Sequence, residues 1–118
     1  MRLTSELWVS AYIRRVAHAG GQAVLARRGA REAGAIHIRI IAPEGERLLS
    51  PAPMALDAPE GAVATRRWSE RAAGGAEAID AILARETRFD EDAWVIDVED
   101  RAGRDWLEAD ERGEADLD

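Results

Sequence analysis

The residues able to do chemistry are few in this chain, and their spacing matches no familiar catalytic set. His18 and His37 are the only imidazoles, there is no cysteine, and all sixteen basic side chains are arginine. Without cysteine there is no disulfide, no thiolate nucleophile and no sulfur-ligated zinc. Without lysine there is no Schiff-base amine and no phosphate-binding loop of the usual kind. Ser5, Ser10, Ser50 and Ser69 lie in no nucleophile-elbow context. Period-two alternation puts His37 and Arg39 on one side of their segment, and Asp97 and Glu99 on the corresponding side of theirs. His37, Asp97 and Glu99 then make a three-ligand metal candidate, while a cross-strand charge ladder with Arg39 is the simpler outcome. Asp90-Glu91-Asp92 fails the calcium-loop pattern, because Trp94 takes a ligand position and no glycine follows.

Arginine supplies what binding chemistry there is: a permanent charge and a planar fork that fits carboxylates, phosphates and aromatic faces. Doublets occur at Arg14-Arg15, Arg27-Arg28 and Arg66-Arg67, the last beside Trp68. Arg14, His18, Arg39, Arg66, Arg67 and Trp68 are therefore the candidate binding residues, as basic groups interleaved with an aromatic can clamp phosphates and stack a base. Against this, neighbours on a strand face opposite sides, and the chain carries a net charge of −7. Residues 1–41 hold seven arginines against two acids, and residues 97–118 hold three against ten. A basic start and an acidic end fit an anion-binding surface or simple self-pairing. Glu86 falls inside an apolar helical stripe, where a lone carboxylate is costly, so an Arg66–Glu86 ion pair is expected to satisfy both groups.

The elements that must position these residues are marked by periodicity. Residues 35–42 alternate Ile36, Ile38 and Ile40 against His37 and Arg39, between Gly34 and Pro43-Glu44-Gly45, as a strand with one face buried. Ahead of it, Thr4 or Ser5 can cap a helix whose stripe is Trp8, Val9, Tyr12, Ile13 and Val16, with Arg14 and His18 together on the opposite side and Gly20-Gly21 ending it. Residues 22–28 read as a short strand, 47–50 as the return of a hairpin, 54–62 as a loop and 63–70 as a fourth strand with Arg66 and Trp68 on one side. A second helix over 76–88 has the stripe Ile79, Ile82, Leu83 and Phe89, and a strand over 94–99 turns Trp94, Ile96 and Val98 inward.

Several of these stretches resemble a bacterial protein family. They are Leu3 to Gly21 with its Arg14-Arg15 and Gly20-Gly21, Arg27-Arg28-Gly29 with Glu32-Ala33-Gly34-Ala35-Ile36, Pro51-Ala52-Pro53, and Arg85-Glu86-Thr87-Arg88-Phe89-Asp90 with Trp94-Val95-Ile96. The family is catalogued as domain of unknown function 1491, and the resemblance covers about residues 1–100. It implies a small bacterial cytoplasmic protein and carries no assigned activity or site residue.

The expected fold is α+β: an N-terminal helix on a twisted antiparallel sheet of about five strands, with a second helix before the last strand. The helix-then-strands order also suggests an Sm-like small barrel. Residues 1–100 are read as one domain and residues 101–118 as a loose acidic tail. No stretch is long and apolar enough to span a membrane, and the expected location is the cytoplasm. Neither metal nor cofactor is expected. The function expected from this inventory is non-catalytic: a binding or adaptor module for a protein partner, or a self-associating one through an open sheet edge. The alternative is an RNA- or DNA-binding protein using the arginine surface with the acidic tail as competitor. A small hydrolase or metal-dependent enzyme is the weaker alternative.

Overall fold

The computed structural model describes residues 3–53 and 66–113. Helix α1 spans Ser5–His18 and helix α2 spans Ala76–Phe89. Five strands follow the order β1 Gln22–Arg27, β2 Ile36–Ala42, β3 Gly45–Pro51, β4 Trp68–Gly74 and β5 Trp94–Glu99. A single 3₁₀ turn covers Ala109–Glu111. No helix among the described residues is long and apolar enough to cross a membrane.

Thr4 caps α1 by accepting from the Leu7 N–H at 3.2 Å, and the chain leaves the helix at Gly20 with φ of +90°, where a side chain would be strained. Ser5 is instead fully buried, and its Oγ donates to the Gly34 carbonyl at 2.7 Å, which ties the helix start to the connection before β2. Trp8, Val9, Tyr12 and Val16 are buried, as the helical stripe requires. They pack with Ile36, Ile38, Ile40, Trp94, Ile96 and Val98 in the larger of two cores. The smaller core, on the opposite sheet face, joins Leu48 and Val95 to Ile79 and Leu83 of α2.

The sheet order is β1-β5-β2-β3-β4. It is mixed rather than purely antiparallel, because β5 is inserted between β1 and β2 and runs parallel to β2. The crossover from the β4 side of the sheet through α2 returns the chain to the same end from which β2 starts. The sheet is open, with β1 and β4 as its two edges, so the Sm-like barrel is not formed.

Four local expectations change. The side of β2 opposite the isoleucines is not in water: α2 lies over that face, and His37 is buried with Nδ1 at 2.8 Å from Ser50 Oγ. Burial holds the imidazole below its usual range, with the nearby Arg71 charge adding to the effect. The fourth strand begins at Trp68 rather than at residue 63. Positions 63–65 and the loop expected at 54–62 lie outside the described residues, save that Pro53 just before them is placed. Phe89 leaves the α2 stripe and is 80% exposed at the helix end. Finally, the segment expected to be a loose tail packs onto α1 as far as Gly113, with Leu107 and Glu111 buried. Residues 114–118 lie outside the described residues.

Candidate functional site

The six candidate binding residues do not share a surface. Arg14 and His18 are exposed on α1, on the side of the sheet that holds the larger core. Arg39 points to the other face, under α2, where Nε meets Glu46 at 2.6 Å, Nη1 meets Asp80 at 2.6 Å and Nη2 donates to the Ala76 carbonyl at 3.3 Å. Burial opposes the Arg39 charge, but its two carboxylate partners outweigh that and hold the guanidinium above its usual range. Arg66 donates to the Leu3 carbonyl at 2.9 Å, and Arg67 is exposed. Trp68 is a core residue: its indole tilts against Trp8 with centroids 4.4 Å apart, and Nε1 donates to the Ile36 carbonyl at 2.7 Å. It offers no face to a base.

Glu86 pairs with Arg71, not with Arg66. The reason is that Trp68 packs in the larger core, on the face away from α2, and Arg66 reaches the Leu3 carbonyl instead. Leu48 pairs with Ala72 and Leu49 with Glu70, so Arg71 is an extra residue and the alternation of β4 reverses there. Trp68 therefore faces the larger core while Ala72 packs on the smaller one beside α2. The charge ladder is present in part: Arg39 and Asp97 are register partners on adjacent parallel strands. Burial raises the Asp97 carboxyl above its ordinary range against the pull of Arg39, and its Oδ1 is buried with no hydrogen bond to a described residue. His37, Asp97 and Glu99 do not converge, and among the described residues no group of three potential metal ligands comes together.

Two features absent from the sequence-based inventory organise the molecule's polar chemistry. The first is a clasp between α1 and the C-terminal segment. Glu111 Oε1 receives Arg15 Nη1 at 2.9 Å, and Oε2 receives the Trp8 indole N–H at 3.1 Å. Glu111 also accepts from the Glu108 N–H at 2.8 Å, in a capping box around the 3₁₀ turn. Tyr12 donates to the Asp105 carbonyl at 2.5 Å, and Arg15 donates to the Trp106 carbonyl at 2.9 Å. Burial pushes the Tyr12 hydroxyl up, with Asp105 adding to the shift, so it stays a donor at neutral pH. Beside the clasp is a cleft of about 360 Å³ lined by Arg47, Gly103, Arg104, Asp105, Trp106 and Arg112. Its arginines are singletons in the sequence, and only the folding back of residues 100–113 gathers them. The capping-box spacing Glu108 to Glu111 after Trp106-Leu107 was the one available signal.

The second is the outer edge of β1. No described strand pairs with it on that side, and it carries exposed aliphatic residues, Val24 at 60% and Leu25 at 40%. The opposite edge, β4, carries Glu70 and Arg71 and is partly covered by a bridge from Trp68 to Arg112. The two edges are thus built differently.

Fold and surface together define a small open-sheet α+β protein, with a helix on each face and a clasped C-terminal segment. The chain belongs to the family described as protein of unknown function DUF1491, whose model matches residues 3–108 and so runs past residue 100 into the clasped segment. It is similar to a DUF1491 family protein from Caulobacter crescentus known from a crystal structure, with 32% identity over 95% of this chain and 97% of that one, at a TM-score of 0.77. It is also similar to protein Atu0922 from A. tumefaciens, known from a solution structure, with 47% identity over 85% of this chain and 87% of that one, at a TM-score of 0.72. No curated protein matches the chain.

Proposed function

We propose that this protein is a non-catalytic association module of the bacterial cytoplasm. Its working surface is the outer edge of β1, and the occupant is the β1 strand of a second copy. The observation that carries this reading is the contrast between the two sheet edges: β4 is charged and bridged, whereas β1 exposes unpaired backbone beside Val24 and Leu25. Such an edge is a template for another strand.

The strand is self-complementary. In an antiparallel pair centred on Val24, Ala23 stands opposite the partner's Leu25 and Gln22 opposite the partner's Ala26, so small residues meet large ones and no like charges oppose. Arg27, the one charged residue of β1, lies beyond this register and donates to the carbonyls of Glu91 and Ala93 in its own chain. One strand pair buries less than the roughly 1,200 Å² of a stable interface, so the association is weak and concentration-dependent. The bacterial setting rests on the sources of the two relatives.

Sedimentation equilibrium tests the reading. The expected result is a mass rising above the 12.9 kDa of one chain as concentration climbs toward about 1 mM. Val24→Lys, which places two ammonium groups face to face across the pair, abolishes the rise, and Phe89→Ser at an exposed site outside β1 does not. A monomer at every concentration overturns the second copy as occupant, and a dimer indifferent to Val24→Lys overturns the β1 edge.

A further inference from the structure

A second site lies beside the clasp, where residues 103–112 meet β3. Arg47 of β3, Arg104 of the turn after β5 and Arg112 after the 3₁₀ turn line the same cleft, with Asp105 as its one lining carboxylate. Each is already paired with a carboxylate, Arg47 with Glu70, Arg104 with Asp100 and Arg112 with Asp105, so the cluster is charge-balanced and what it offers a ligand is unused donors.

Each guanidinium is anchored, and each keeps one nitrogen unused. Arg104 grips Asp100 through Nε and Nη2, at 3.1 and 2.9 Å, and the Asp100 side chain is 4% exposed. Arg112 holds Asp105 through Nε at 3.3 Å and Nη2 at 2.7 Å. Arg47 donates from Nη2 to the Gly103 carbonyl at 2.8 Å and from Nη1 to Glu70 at 3.2 Å. The Nη1 groups of Arg104 and Arg112 and the Nε of Arg47 make no hydrogen bond to a described residue. Anchored forks with donors to spare lose little further entropy when they close on a ligand.

The floor of the cleft is also held in an unusual backbone state. Trp106 has φ of +60°, a left-handed conformation that a bulky residue rarely adopts. It is imposed from several sides. Its carbonyl accepts from Arg15, the Leu107 N–H donates to Asp105 Oδ1 at 2.9 Å, and the Arg104 guanidinium lies 4.5 Å from the ring centroid. The ring backs onto Gly21, where an added Cβ would stand 3.0 Å from Trp106 Cζ2 and 2.7 Å from Val16 Cγ1. Strain maintained against its cost is a feature of ligand sites.

We propose that this cleft binds the phosphoryl group of a small phosphorylated molecule. A carboxylate is planar and is matched by one arginine fork, whereas donors from three guanidiniums on three separate segments suit a tetrahedral group. Its several acceptor oxygens can take the donors that the three carboxylate partners leave unused. A cleft of about 360 Å³ also falls within the range of small-molecule sites.

The test is titration of the full chain with inorganic pyrophosphate at low ionic strength, read by the arginine Nε–H and tryptophan indole resonances. Saturable shifts are expected at Arg47, Arg104, Arg112 and Trp106, with half-saturation at about 1 mM or below. Arg104→Gln and Arg112→Gln each weaken binding at least about fivefold. Arg104→Lys restores part of it, and Arg88→Gln, exposed on α2, leaves it unchanged. Circular dichroism and thermal melting of each variant verify folding, so a lost response in a folded Arg104→Gln protein is read as lost binding. Linear, unsaturating shifts, or an equal response in the Arg88→Gln and Arg104→Gln proteins, overturn the assignment to this cleft.

Discussion

Replacing Glu111 by alanine removes the clasp between α1 and the C-terminal segment. The Glu111 side chain is 9% exposed and its partner Arg15 is 30% exposed. Breaking a buried ion pair by deleting one partner costs about 3–5 kcal/mol, and the partial exposure of Arg15 lets water recover some of its solvation. The Trp8 indole, 6% exposed, loses its only hydrogen-bond acceptor among the described residues, which adds on the order of 1 kcal/mol. These terms overlap, and the expected loss is about 3 kcal/mol, or a melting temperature lower by roughly 10–15 °C for a domain of this size. Urea denaturation measures it. Limited trypsin digestion adds a local readout, because release of residues 101–113 exposes the bonds after Arg104 and Arg112. Glu111→Gln keeps hydrogen-bond acceptance from Trp8 but loses the charge, so it falls between wild type and Glu111→Ala. An Arg15→Met/Glu111→Ala double-mutant cycle isolates the pair from the indole contribution. Stability within about 1 kcal/mol of wild type, with an unchanged digestion pattern, would refute Glu111 as the centre of the clasp and leave Leu107 and the Tyr12 and Arg15 bonds to backbone carbonyls to hold the segment.

Two further perturbations probe the other face and the turn before β2. Burial holds the Asp97 carboxyl above the ordinary carboxylate range, so the folded state takes up that proton at a higher pH than the unfolded chain does. Stability therefore improves as pH falls through the folded pKa, and at neutral pH the charged carboxylate is a cost. Asp97→Asn should stabilise the protein at pH 7 by no more than about 1 kcal/mol, because the group is half-buried and partly screened, and the gain should fade toward pH 4. Urea midpoints at the two pH values decide it, and a less stable variant at pH 7 would mean that attraction to Arg39 wins. At Gly34 an added Cβ would overlap the Asp92 carbonyl, a backbone atom that cannot swing aside. Gly34→Ala should cost about 3 kcal/mol or more by thermal or chemical denaturation, and a loss under about 1 kcal/mol would show that the turn yields.

Local periodicity alone determined much of this protein. The stripes Trp8-Val9-Tyr12-Val16 and Ile36-Ile38-Ile40, and the inward set Trp94-Ile96-Val98, are buried as their spacing requires. That spacing is a property of helix and strand geometry and needs no knowledge of partners. The family resemblance was legible too, since the matched stretches are caps, turns and core positions. What tertiary structure decided is everything that depends on which segment lies beside which. Alternation does not say that β5 slots in parallel to β2, nor that the Trp68 side of β4 packs in the larger core while α2, with Glu86, covers the other face. The acidic composition of residues 101–113 reads as loose because composition counts charges without their counterions. Arg15, Arg47 and the Trp8 indole supply those partners only once the chain has folded, and burial with a partner reverses what burial without one forbids.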